Sequence, residues 1–66
     1  YMAHIGKDIS IKRRQALLTQ KELAEEVGVN INTIRNVENE KNVKIDTLIK
    51  ICDYLDYVLK FKMVKK

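Results

Sequence analysis

Apolar residues recur every three or four positions along most of the chain, which is the spacing of amphipathic helices. This pattern predicts a first helix over roughly residues 6–16 and a fourth over roughly 45–55. The first pattern consists of Ile5, Ile9, Arg13 and Ala16. The fourth consists of Leu48, Ile51, Cys52 and Leu55. Residues 39–44 before the fourth helix are mostly polar and predict a loop.

Local capping signals predict two shorter helices between these, separated by a glycine turn. Thr19 followed by Glu22 is a capping-box pattern, so the second helix is predicted to begin at Gln20. Gly28 is predicted to end it, because glycine adopts a positive φ without steric cost. Asn30 is predicted to cap the third helix. The inward-facing positions of this unit are predicted to be Leu23, Ala24, Val27, Val29, Ile34 and Val37.

The hydrophobic period changes to two near the C-terminus. From Tyr57 to Val64 apolar and other side chains alternate, which predicts a β-strand. One side of this strand carries Tyr57, Leu59, Phe61 and Met63. Because a single strand leaves its backbone groups unpaired, we expect it to pair antiparallel with the same strand of a second copy. Residues 56–66 would then form a dimerisation tail, and a frayed basic tail is the alternative interpretation.

Composition limits the chain to one small domain without cross-links. A chain of 66 residues buries only about 60% of its unfolded surface, so a dimer is a natural source of added stability. One cysteine, Cys52, and one histidine, His4, allow neither a disulfide nor a four-ligand zinc site. Cys52 is expected to be a small core residue. The chain offers no nucleophile–base pair or paired acids, so we predict neither an enzyme nor a cofactor.

Charge and hydropathy indicate the kind of partner. The net charge of +4 suits a polyanion but does not by itself establish one. No apolar run is longer than three residues, so neither a transmembrane span nor a signal peptide is predicted. A single reduced thiol and no export signal predict a cytoplasmic protein.

The predicted helix, glycine turn and helix over residues 20–39 have the layout of a helix-turn-helix, in which a short turn sets two helices at about 90–120°. The second of these helices is rich in asparagine, which is a poor residue for helix stability. Asparagine pairs with adenine, and arginine with guanine, at base edges in the major groove. We therefore interpret this helix as one that reads DNA, and expect the protein to associate with the nucleoid when it is bound to DNA. The alternative is that Asn30 only caps the helix and that the other asparagines are neutral surface positions.

Most of the chain, from Ile5 to Leu55, resembles the lambda-repressor-like (Cro/cI, or XRE) helix-turn-helix family. The matching motifs are "LTQKELAEEVGV", "TIRNVENEK" and "DTLIKICDYL". The resemblance implies an all-α domain of four helices that spans residues 1–66, with residues 5–55 as its helical core. The terminal "YVLKFKMV" resembles the end of HipB-type antitoxins, family members that dimerise through a C-terminal strand.

The resemblance also implies roles for individual residues. Gln20 would touch the DNA backbone, and Arg35 would contact phosphate or base. The base-reading positions would be Ile31, Asn32 and Asn36. Backbone contacts near the helix end would involve Asn39, Lys41 and Lys44. Asn30 would also contact DNA, although its role as a helix cap alone accounts for its presence. Arg13 and Glu38 would form a structural ion pair.

The function implied is that of a homodimeric, sequence-specific repressor that occupies a pseudo-palindromic DNA operator. Two variants stay open: an antitoxin that autoregulates its operon and neutralises a cognate toxin, and a stand-alone phage-type or restriction-controller repressor. The terminal strand favours the antitoxin. A protein-interaction module that has lost DNA binding is the alternative from another class. None of these requires a membrane.

The sequence departs from the family pattern at three places. Leu17 and Glu40 stand where the family commonly has glycine, so both turns are expected to be strained or differently shaped. Val43 and Lys44 replace a frequent Pro-Ser, so the fourth helix is expected to lack a hydroxyl cap. Asp46 in its first turn is expected to compensate in part through the helix dipole.

Overall fold

This computed structural model describes residues 5–62, which contain four α-helices and a short π-helical segment. The helices are α1 (Ile5–Gln15), α2 (Gln20–Val27), α3 (Ile31–Glu38) and α4 (Ile45–Tyr57), followed by the π-helical segment Val58–Lys62. The prediction of an all-helical domain is confirmed, and each predicted helix lies within two residues of its observed position.

The caps of α2 and α3 are confirmed as the sequence predicts them. The Thr19 hydroxyl accepts from the Glu22 N–H at 3.0 Å, and the Glu22 carboxylate accepts from the Thr19 N–H at 2.9 Å. Gly28 ends α2 with a φ of 86°, in the left-handed region. The Asn30 side-chain oxygen accepts from the Asn32 N–H at 2.7 Å. Each cap satisfies a backbone group that the helix end leaves unpaired.

The start of α4 also behaves as expected. Lys44 occupies the N-cap position and makes no side-chain capping hydrogen bond. Asp46 lies in the first turn, where a carboxylate interacts favourably with the positive end of the helix dipole. The helix is therefore held mainly by its buried face rather than by its cap.

The core lies where the inner faces of all four helices meet. Its buried members are Ile9, Ala16, Leu23, Ala24, Ile34, Val37, Leu48, Ile51, Leu55 and Val58. Burying one large aliphatic side chain contributes about 1.5–3 kcal/mol, so these contacts dominate the stability of the domain. Val27 and Val29, predicted to face inward, are only half-buried at the edge of this cluster. Cys52 is also half-buried, and burial raises the pKa of its thiol.

The C-terminal strand prediction is wrong for the residues that the structure describes, because the chain stays helical from Ile45 through Lys62. Val58 is only 4% exposed and completes the core three positions after Leu55. Leu59 packs against the same core. The alternating pattern thus also fits a helix, and continuing the helix pairs backbone groups within the chain that a lone strand would leave unpaired.

The predicted dimerisation residues are consequently divided between two environments. Leu59 is half-buried against the core, whereas Tyr57 and Phe61 are exposed. Their two rings pack against each other with centroids 5.7 Å apart. Met63 lies outside the described residues.

The two residues that replace family glycines in the turns adopt left-handed backbone conformations. Leu17, just after α1, and Glu40, just after α3, each have a φ of 61°. An L-residue in this region brings its Cβ close to backbone oxygen, at a cost of about 1–2 kcal/mol. Leu17 is also 78% exposed, so its side chain recovers little of this cost through packing.

We expect Leu17→Gly to raise the free energy of unfolding by about 1 kcal/mol, because glycine relieves the strain but loses more chain entropy on folding. Urea denaturation followed by circular dichroism measures the change. The matched control is Leu17→Ala, which trims the exposed side chain but keeps the Cβ and should give no such gain. Equal stability of the two variants would show that φ at this position stores no strain.

Candidate nucleic-acid interface

The helix α3 has one buried face and one polar face. Ile34 and Val37 point inward and are almost fully buried. Asn32, Arg35 and Asn36 are exposed, and their spacing places them on the opposite side of the helix. The packing of α3 against the rest of the domain therefore leaves these three polar side chains free of any structural role in the core.

Hydrogen bonds organise part of this polar face. The Arg35 guanidinium donates to the Asn32 side-chain oxygen at 3.3 Å, which aligns the two side chains along one turn. Asn30 is engaged as the cap of α3 through its own side-chain oxygen. None of the side-chain hydrogen bonds between described residues involves Asn36, so its amide is free to meet a ligand.

A shallow groove of about 310 Å³ separates α3 from the start of α4 and brings two predicted residues, Asn36 and Lys44, together. Its lining consists of Thr33, Asn36, Asn42, Val43, Lys44 and Thr47. Three of these polar residues were not singled out from the sequence: Thr33, Asn42 and Thr47. The two threonines lie three positions before Asn36 and three after Lys44, a helical spacing that sequence reasoning can use.

The remaining predicted contacts lie in different surroundings. Ile31 is half-buried against the core, so only part of its side chain is accessible. The backbone N–H of Asn39 donates to the carbonyl of Arg35 at 2.9 Å and ends α3, while its side chain is exposed. Lys41 does not line the groove with Asn36; it borders a separate hollow of about 200 Å³ on the side of α1 and α4.

An ion pair joins the C-terminal part of α1 to the end of α3. The Arg13 Nε donates to Glu38 Oε2 at 2.7 Å, and Arg13 Nη2 donates to Glu38 Oε1 at 3.2 Å. The side chains of Arg13 and Glu38 are only 11% and 7% exposed. A further bond runs from Arg13 Nη1 to the backbone carbonyl of Leu18 at 2.8 Å. Glu38 also accepts from Gln20 Nε2 at 3.1 Å.

Two acidic residues of α2, Glu22 and Glu26, have defined neighbours elsewhere in the domain. Glu22 is used in the capping box at the start of the helix. The carboxylate of Glu26 faces Tyr54 of α4, where burial first and then the charge of Glu26 raise the pKa of the Tyr54 hydroxyl. Both carboxylates therefore interact with groups outside the polar face of α3.

One residue that the sequence analysis did not single out, Gly6, fixes how α1 meets α3. A Cβ at Gly6 would overlap the carbonyl oxygen of Val37 and lie 3.1 Å from that of Glu38. Only glycine lets the α1 backbone approach the end of α3 this closely. A glycine inside a helical pattern, three positions before the buried Ile9, was the available signal.

Neither a metal-binding group nor a membrane-spanning helix is found among the described residues. Among residues 5–62 there is no group of three side chains able to hold a metal ion. No helix in the same part of the chain has the length and apolar character needed to span a membrane.

A short helix, a glycine turn and a second helix with a free polar face together define a helix-turn-helix DNA-binding module. A helix-turn-helix family model matches residues 9–58, and the chain belongs to this lambda-repressor-like (XRE) family. It is therefore a DNA-binding transcription regulator, and the family resemblance read from the sequence is confirmed. The likeness of the terminal segment to HipB-type antitoxins is not part of this finding. Neither a curated protein nor a solved structure matches the chain at a significant level.

We expect Gly6→Ala to lower the free energy of unfolding by about 1–3 kcal/mol, because the added methyl group overlaps backbone atoms that cannot move independently. Helix propensity alone would make Gly6→Ala stabilising by about 1 kcal/mol, because alanine is the better helix former. A loss of stability would therefore indicate the steric overlap. Lys7→Ala, at the exposed neighbouring position, is the control and should leave stability nearly unchanged. Thermal and urea denaturation measure both; a stabilised Gly6→Ala would contradict the close approach of α1 to α3.

Proposed function

We propose that the protein is a homodimeric repressor that acts in the cytoplasm by occupying a pseudo-palindromic operator. The observation that carries this proposal is the face of α3 formed by Asn32, Arg35 and Asn36, which is exposed and takes no part in the core. Two of these three residues are asparagines, which are poor helix formers, and DNA recognition explains their presence in the helix.

In this proposal α3 enters the major groove and its polar face reads base edges. Asn36 donates to and accepts from adenine, and Arg35 donates to guanine. Lys44 lies in the same groove of the protein as Asn36 and neutralises a flanking phosphate. Gln20, Asn39 and Lys41 add backbone contacts. Because released counterions supply much of the affinity, binding weakens steeply as salt rises.

The proposed dimer places two recognition helices about one turn of DNA, roughly 34 Å, apart. Among the described residues that are expected to dimerise, Tyr57 and Phe61 are exposed, and Phe61 is 69% exposed. An exposed aromatic pair at the end of a small domain is supporting evidence for a partner surface. The alternative surface is the outer face of α4, where Ile45 and Ile49 are both more than half exposed.

The finer proposal is that the protein is the autoregulating antitoxin of a toxin–antitoxin pair. A stand-alone phage-type or restriction-controller repressor would use the same DNA-binding face without a cognate toxin. Co-purification of the tagged chain with the product of its neighbouring gene, followed by growth rescue of cells that express this product, separates the two. A protein-interaction module without DNA binding is the other class of alternative, and the polar face of α3 argues against it.

We expect Asn36→Ala and Arg35→Ala each to weaken binding to the native upstream duplex by about 1–3 kcal/mol, roughly fivefold to more than a hundredfold. Fluorescence anisotropy with labelled duplex at two salt concentrations measures the affinity. Binding to scrambled duplex should change much less for Asn36→Ala, because a base contact carries the sequence preference.

Each substitution has a control that removes the same kind of side chain from an exposed position outside α3. Gln15→Ala removes an exposed amide from α1, and Lys60→Ala removes an exposed positive charge near the C-terminus. Both should bind like the unmodified protein. If Asn36→Ala and Arg35→Ala behave like these controls, the DNA-reading assignment of α3 fails and a protein partner becomes the better explanation.

We expect Phe61→Ser to shift the protein from dimer to monomer in sedimentation velocity, because it removes the more exposed member of the aromatic pair. Lys60→Ser, at the adjacent exposed position, should remain dimeric. A dimer that survives Phe61→Ser but dissociates with Ile49→Ser would move the interface to the outer face of α4. A monomeric unmodified protein would refute the dimer altogether.

A further inference from the structure

The side chain of Gln20 is already held in place before any DNA is bound. Gln20 is the first residue of α2, and its Nε2 donates to Oε1 of Glu38, the last residue of α3. The two atoms are 3.1 Å apart, within normal hydrogen-bond distance. This bond connects the ends of the two helices that form the helix-turn-helix.

The acceptor of this bond is itself immobile. Arg13 donates to both carboxylate oxygens of Glu38, at 2.7 Å and 3.2 Å, in a fork that fixes the plane of the carboxylate. Arg13 is anchored in turn by its bond to the Leu18 carbonyl. Both charged side chains are nearly excluded from solvent. The negative charge of Glu38 is therefore compensated and oriented toward α1.

This arrangement decides which way the Gln20 amide points. A carboxylate only accepts hydrogen bonds, so the amide nitrogen of Gln20 must face Glu38 and its oxygen must face away. The nitrogen has two N–H groups, and the second remains free. A phosphodiester oxygen is also only an acceptor, so this free N–H is the group that can bind it.

We propose that Glu38, held by Arg13, is a positioning residue that presents the free side-chain N–H of Gln20 to a phosphate of the DNA backbone. The inference rests on the proposed DNA binding and adds a function to the ion pair beyond joining α1 to α3. An amide ordered in advance loses less freedom on binding. The advantage is about twofold to tenfold in affinity, the range that one immobilised side chain accounts for.

The test removes the carboxylate without leaving a buried charge. In Arg13→Met/Glu38→Met both partners become apolar residues of similar length, a change that buried ion pairs often tolerate. Affinity for the native upstream duplex is compared among the unmodified protein, this variant, Gln20→Ala and the triple variant. We expect Gln20→Ala to weaken binding about twofold to tenfold in the unmodified background and to have little effect without the pair.

A purely structural ion pair predicts a different result. Gln20→Ala would then weaken binding by the same factor in both backgrounds, and this outcome would overturn the proposal. Unmodified protein that fails to bind DNA at all would overturn the proposed function as well, so the two failures are distinguishable.

A second measurement needs neither the double variant nor DNA. The chain has two glutamines, Gln15 and Gln20, and the exposed Gln15 makes no side-chain hydrogen bond to the described residues. In ¹⁵N relaxation of the free protein we expect the side-chain amide of Gln20 to be rigid and that of Gln15 to be mobile. Equal mobility of the two amides would show that Glu38 does not orient Gln20.

Discussion

The ion pair between Arg13 and Glu38 is the contact on which the position of α3 depends. Two nearly buried charges gain little net stability from each other, because desolvation offsets most of their attraction. The pair instead imposes geometry, since the planar guanidinium meets the carboxylate in a single forked arrangement. The bond from Arg13 to the Leu18 carbonyl extends this constraint to the turn before α2. Gly6 makes the approach feasible by removing the side chain that would hold α1 away from α3.

Features governed by neighbouring residues could be predicted from the sequence. The capping box at Thr19, the left-handed Gly28 and the cap at Asn30 each depend on a few adjacent positions, and all three are present. The turns at Leu17 and Glu40 were expected to be strained or differently shaped because the family commonly has glycine there, and both residues have a φ of 61°. Because these rules involve only residues within one or two helical turns, the local sequence is enough to predict the backbone geometry.

Features that depend on distant contacts could not be predicted in the same way. The residues after Tyr57 satisfy both a strand period and a helix period, and only the fit of Val58 into the core decides between them. The approach at Gly6 and the bond from Gln20 to Glu38 join residues far apart in the chain. The groove that unites Asn36 with the start of α4 likewise exists only once the helices are packed.

The strain in the turns has a consequence for how the recognition surface can evolve. Leu17 and Glu40 lie outside the polar face of α3, so easing either backbone leaves the side chains of that face in place. Changes in a recognition helix commonly lower stability, and a small domain tolerates little loss. A lineage that first acquires glycine at one of these turns gains room for an otherwise destabilising change in α3. A new operator preference would then be reached by a stabilising substitution followed by a destabilising one, so that the domain never falls below its original stability.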